Sequence, residues 1–327
     1  MKLPLERGAK YGLIGLNATT NVKAPLDLGN GFLAVPGNAL DLPDYWRKWL
    51  GTLRTDEIQE ASLLLVAVGA SERPKVLDRE NETLTSRVDA LFSGLLIAAR
   101  PSFEGTGSRI SGANVDGTID VRSLGETVRV VRPDGFGWAH IHEGELRRAA
   151  ELALRIEAFH TQPPTNRFLL SRTLATFFKA LTERVLDERI HQFVRAVDGI
   201  IRSSGNREFR DRCRTLMTGD TDVCRELYLI RNATEHFRHW SADLEPQLPP
   251  REDLHRLFRR AHESEALARY AVTRVLDRPD LWGTLADDQV TAFWNKPEDE
   301  RIAKWGERLD LAAAMEGFNT CFLPPMA

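Results

Sequence analysis

The pattern of this chain changes abruptly near residue 142, and one layer of structure cannot accommodate both halves. Up to that point glycine and proline cut the sequence into short β-favouring runs, at residues 11–16 and 31–35. Residues 62–68, Ser-Leu-Leu-Leu-Val-Ala-Val, read as a buried strand or helix, and periodicity does not arbitrate. Residues 88–99 leave the same choice, while residues 41–50, with Trp46 and Trp49, predict the start of a short helix. Residues 118–122 and 127–131 alternate apolar and polar positions, which predicts a hairpin turned at 123–126.

From Glu143 the period becomes helical. Leu146, Ala149, Ala150, Leu152, Leu154 and Ile156 fall mainly on one side of a helix ending before Pro163 and Pro164. Asn166 is placed to cap a second helix through Leu181, a third covers 190–201 with Gly205 as its stop, and a short one covers 209–217. Asp222 is placed to cap the next, which runs to about Trp240. Pro246, Pro249 and Pro250 mark a loop before a long helix at 251–276, and Trp282, Trp294 and Trp305 anchor a tail packed back on the bundle. The expected fold class is α+β. A β-containing domain at 1–142, read as a sensor or regulatory unit, precedes an all-α helical bundle at 143–327.

The net charge of -3 argues against a protein that coats nucleic acid by bulk electrostatics, although a local basic site remains open. Cys213, Cys224 and Cys321 have no metal-finger spacing, and so sparse a set fits a reducing compartment. Residues 1–8 lack the apolar core of a signal peptide, and the apolar run at 90–99 is far short of the roughly 20 residues of a membrane span. A cytoplasmic protein without membrane contact is expected. The glycine-rich stretch 105–112 lacks the Gly-Lys-Ser/Thr ending of a phosphate loop, and GxSxG is absent. His236 and His239 have no third ligand at characteristic spacing, so neither metal nor cofactor is expected.

Residues 227–237, Leu-Tyr-Leu-Ile-Arg-Asn-Ala-Thr-Glu-His-Phe, carry the chemistry. On a helix Asn232 and His236 share a face, while Arg231 lies about 140° from His236 and reaches it only by its long stem. Four arginines precede a histidine with four to six residues between: Arg155, Arg184, Arg231 and Arg256. Since 36 residues are arginine, spacing alone selects nothing; only Arg231 has an apolar lead-in and a following amide.

These residues resemble the Arg-x4-6-His motif of the HEPN superfamily, and the resemblance covers roughly residues 165–275. Upstream, Asp198 stands in an apolar helix where that family often carries a carboxylate, usually glutamate. The order of regions is similar to phage-defence proteins of the ApeA type. The resemblance implies a metal-independent endoribonuclease, with Arg231, Asn232, His236 and Asp198 as catalytic residues. His236 would move the proton of a ribose 2′-OH or of the leaving 5′-oxygen, Arg231 would neutralise phosphoryl charge, and Asn232 would hold the imidazole or a phosphate oxygen. RNA, tRNA included, is the implied substrate, and the product would be a 2′,3′-cyclic phosphate. Arg202, Arg207 and Arg210, in the densest basic segment, are candidate RNA-binding residues; a solvated charged face is the alternative. For Asp198 the alternative is an ion pair with Arg195 or Arg202. A homodimer with a composite cleft is implied as well, in phage defence, abortive infection or as a toxin, with a phage-derived trigger or an antitoxin as further partners. The alternative function is a HEPN-fold binding or scaffold module without catalysis.

Overall fold

The computed structural model describes residues 3–4, 7–42, 44–114, 121–136 and 139–323. The fold is α+β, an antiparallel sheet followed by a helical region. By contacts the chain forms two compact units, one of residues 1–130 and 138–158, the other of 131–137 and 159–327.

The first unit is built on six strands: β1 (Ala9–Leu16), β2 (Leu26–Gly29), β3 (Phe32–Val35), β4 (Leu63–Ala70), β5 (Ser108–Ala113) and β6 (Val121–Glu126). They lie in the order β2-β3-β4-β1-β5-β6, with every neighbouring pair antiparallel. Central β1 pairs along its whole length with β4, Ala9 opposite Ala70 and Leu16 opposite Leu63. Strand period sends Ala9, Tyr11 and Leu13 to one face, where Trp46 and Ile58 of α1 (Asp44–Glu60) join them in a core. Gly51, at φ 77°, kinks that helix.

The opposite face receives α2 (Arg79–Ala98). A Cβ on Gly12 would lie 2.5 Å from the Leu84 carbonyl oxygen, so only glycine lets this helix lie so close to the sheet. Lys10, on the same face, is fully buried and meets Asp78 at 2.8 Å and Glu80 at 2.9 Å at the start of α2. Residues 63–68 thus resolve as strand and 88–98 as helix.

The expected hairpin is corrected. Residues 123–126, read as its turn, are strand β6 and pair with β5; residues 127–130 form no strand. Residues 118–120 lie outside the described residues. Nor do the contacts divide the chain at 142. Helix α3 (Glu143–His160) has the expected bounds, but it belongs to the sheet unit through Ala158. Its Ala149 carbonyl sits where a Cβ on Gly94 of α2 would be, at 2.2 Å, and Glu157 pairs with Arg87 at 3.1 Å.

The second unit is helical: α4 (Pro164–Thr182), α5 (Leu186–Ile201), α6 (Asn206–Leu216), α7 (Asp222–Glu235), α8 (Pro250–Asp277), α9 (Val290–Trp294), α10 (Glu298–Trp305) and α11 (Leu311–Ala314). A two-residue parallel pairing joins Met217–Thr218 to Leu309–Asp310. Helix α5 is the axis, its Ile190, Phe193, Val194, Val197, Ile200 and Ile201 all buried. Tryptophans 282, 294 and 305 are buried, and their Nε1 groups donate to Val275 O, Ile200 O and Tyr270 Oη. Several ends differ from expectation. Asn166 does not cap α4, which opens at Pro164 with Pro163 as its N-cap. Gly205 is not the stop of α5, which ends in a left-handed Arg202; it is the N-cap of α6. Helix α7 stops at Glu235, five residues early, because Phe237 takes a left-handed conformation at φ 56°. No side-chain cap opens α7; Asp222 is its first residue.

Candidate active site

Leu227 and Ile230 bury one side of α7 and fix its last turn. Arg231, beside them, is half-buried and held three ways. Its Nη1 donates to Asn232 Oδ1 at 2.8 Å and meets Glu235 Oε2 at 3.0 Å, and the guanidinium lies over the Tyr228 ring, 5.2 Å from its centroid. Nη2 makes no bond among the described residues, and Nε is buried without a partner. The cation is therefore aimed but not saturated. Asn232 spends its oxygen on Arg231, which leaves the amide Nδ2 as a donor.

His236 is the C-cap. Its backbone N–H donates to Asn232 O at 3.1 Å, so the helical register reaches it and the expected face with Asn232 is kept. The ring is exposed and unpartnered among the described residues. Phe237 follows, 98% exposed. The N–H of Phe237 donates to Thr234 O and that of Arg238 to Ala233 O, a C-terminal capping arrangement that usually takes glycine.

Helix α5 packs against α7. Glu235, at the end of α7, acts on His191 of α5, and Asp198 of α5 acts on Tyr228, midway along α7. Burial pushes the Tyr228 phenol up, Asp198, Glu235 and Glu208 add to this, and Arg231 opposes it. Burial pushes the His191 imidazole down, with Arg195 adding and Glu188 and Glu235 opposing. His191 is 8% exposed, and neither ring nitrogen has a hydrogen-bond partner. Glu188 Oε2 lies 3.5 Å from Nδ1, too poorly aligned to bond. Sequence reasoning missed His191. The one signal was its place in Arg189-Ile-His-Gln192, a polar-rich entry to an otherwise apolar helix.

Among the described residues Asp198 makes no hydrogen bond or ion pair with Arg231 or His236. Its Oδ1 accepts from Ser203 N at 2.9 Å and Ser203 Oγ at 2.6 Å, closing the turn after α5. The ion pair with Arg195 or Arg202 is absent too among the described residues. Arg202, Arg207 and Arg210 do not join the Arg231 site. Arg202 and Arg207 are exposed, while Arg210 lies 4.0 Å from Asp211 and 3.8 Å from Asp222. Asp222 opens α7, so Arg210 is a helix length, about 20 Å, from His236. Among the described residues no group of three or more His, Cys, Asp or Glu could hold a metal ion, and no helix is long and apolar enough to cross a membrane. No protein-family model, curated protein or solved structure matches the chain.

Proposed function

We propose that the helical unit is a metal-independent endoribonuclease whose reacting centre is the last turn of α7, acting in phage defence, abortive infection or as a toxin. The observation that carries this is one helix turn presenting an exposed, unpartnered imidazole at His236 and an undersaturated guanidinium at Arg231. His236 takes the proton of the 2′-OH or returns one to the 5′-oxygen. The 2′-oxygen bonds to phosphorus as the bond to the 5′-oxygen breaks, leaving a 2′,3′-cyclic phosphate and a 5′-hydroxyl. Arg231 meets the phosphoryl charge through Nη2, and Asn232 Nδ2 adds a neutral donor. Glu235 is the competing anion that substrate phosphate displaces. Phe237, fully exposed next to His236, is the apolar group that a stacked base or the second copy of a homodimer would cover.

The second reading, an RNA-binding or scaffold module without catalysis, is favoured by the Glu235 pair, since a cation already partly neutralised is a weaker electrophilic group. Incubating the full chain with total RNA and tRNA in EDTA separates the two. Cleavage in chelator supports the ribonuclease; binding without cleavage supports the module. Cleavage that requires a divalent ion would redirect the chemistry to carboxylate-held metal.

A further inference from the structure

A cavity of about 580 Å³ opens at the N-terminus of α6, lined by Gly205, Asn206, Arg207, Arg212, Trp294 and Arg301 among others. The reaction proposed above does not use it, although Arg207, a candidate RNA-binding residue from the sequence, is in its lining. The first feature is the helix end. Gly205 supplies no side-chain cap, and the backbone N–H groups of Asn206, Arg207 and Glu208 have no acceptor among the described residues. A helix end of this kind favours an anion.

The second, independent feature is Arg301. It is 8% exposed and lines the cavity, yet its guanidinium makes no hydrogen bond and has no carboxylate within 4 Å among the described residues. Its Nε is buried without a partner. Its side chain lies over the Trp294 ring, 5.6 Å from the centroid. Burial lowers its pKa, with Glu298 and Asp211 opposing only from a distance. Arg212, over the same indole at 5.9 Å, is the contrast: its Nη1 donates to Ile201 O at 2.7 Å and to Arg202 O, and its Nη2 meets Glu208. The acids on the wall are already engaged. Glu208 Oε2 accepts from Ser204 N and Oγ at 2.5 Å, and Asp211 lies within 4.0 Å of Arg207, Arg210 and Arg214. A buried, permanently charged guanidinium without a counter-ion is costly, and here its free donors share a cavity with a helix N-terminus.

We propose that this cavity binds a terminal phosphoryl group, that of a free nucleotide or of an RNA end. Arg301 supplies the charge-assisted donors and the first turn of α6 supplies backbone N–H groups. The volume exceeds what inorganic phosphate fills, and the buried Asn206 Oδ1, also unpartnered, awaits a donor from the rest of the ligand, such as a ribose hydroxyl or base amino group. The site stands whether or not α7 is catalytic.

Calorimetric titration of the full chain tests it, with AMP, adenosine, and a 2′-O-methyl trinucleotide bearing a 5′-phosphate or a 5′-hydroxyl. AMP should bind and adenosine should not. A 5′-phosphorylated trinucleotide binding at least tenfold tighter than AMP identifies an RNA end; equal or weaker binding identifies a free nucleotide. Arg301→Met should weaken the phosphate-bearing probes by tenfold or more while the thermal midpoint holds. Asn206→Asp, which places a carboxylate on the anion side of the helix, should do the same without touching Arg301 and serves if Arg301→Met does not fold. Equal binding of AMP and adenosine, no binding of any probe, or unchanged affinity in the variants overturns the proposal.

Discussion

Arg189, at the start of α5, and Arg301, in α10, are buried almost equally, at 1% and 8% exposure, in opposite surroundings. Arg189 donates through Nη1 to the carbonyls of Val131 at 2.8 Å and Ala180 at 3.0 Å, and through Nη2 to buried Glu265 at 3.0 Å. It ties the carbonyl end of α4 to α8 through both Nη groups, and only its buried Nε is left without a partner. Arg301 rests on an indole and keeps its donors. Arg231 stands between them, with one nitrogen bound and two idle. Burial alone therefore does not separate structural cations from functional ones. What separates them is how many of the five guanidinium N–H groups the protein itself satisfies.

The largest expected effect is at Arg189, whose two Nη groups are both bound. Arg189→Met takes one cation away from buried Glu265, which also pairs with Arg269, and should cost about 3–5 kcal/mol in denaturant unfolding. A loss under about 1 kcal/mol would break the comparison. Arg301→Met should stay within about 1 kcal/mol of the parent, because a flexible apolar side chain still packs on Trp294. A loss as large as that of Arg189 would make Arg301 structural.

Smaller effects sharpen the intermediate case. Glu235→Gln removes the anion competing for Arg231, and the pair is half-exposed and worth at most about 1 kcal/mol, so RNA affinity should rise about fivefold or less. Weaker RNA binding would show instead that Glu235 positions the guanidinium. The least effect concerns His191, whose pKa is lowered by burial. The unfolded chain then binds a proton more readily than the folded one. The stabilisation from a neutral His191 is present above about pH 6.5 and is lost as pH falls from there toward the folded pKa. Glu188, Arg195 and Glu235 face this ring. His191→Gln should flatten unfolding free energy between pH 7 and 5, leaving the slope contributed by His160, which burial and Arg167 also lower. An unchanged slope would remove His191 from the account.

Local pattern made much of this molecule legible. The bounds of α3 and α8, the strand character of 11–16 and 31–35, and the shared face of Asn232 and His236 all follow from residues within a turn or two of each other. What failed depended on distant partners. Residues 123–126 carry turn-like Ser, Gly and Glu, but β5 recruits them as an edge strand. The period of α3 shows a helix and not that its Ala149 meets Gly94, so its membership of the sheet unit was hidden. A fragment cut at 143 would strip the sheet unit of that helix. Helix α7 ends early with no glycine or proline near Phe237 to mark the stop. Asp198 had two sequence-plausible partners and chose a third, Ser203. His191 and Arg301 are ordinary residues in the sequence; only the folded chain shows one without hydrogen bonds and the other without a counter-ion.

The most direct test of the central claim is the 3′-end chemistry of RNA cut in EDTA by the full chain, His236→Ala and Arg231→Lys, each shown folded by circular dichroism. The parent should release 2′,3′-cyclic phosphate ends. His236→Ala should release essentially none, since positioned acid–base groups contribute about 10²–10⁴-fold. Arg231→Lys should fall by about tenfold or more, because a point charge does not reproduce the planar fork. Parent-like formation of cyclic phosphate by folded His236→Ala would contradict the assignment of the α7 turn as the reacting centre.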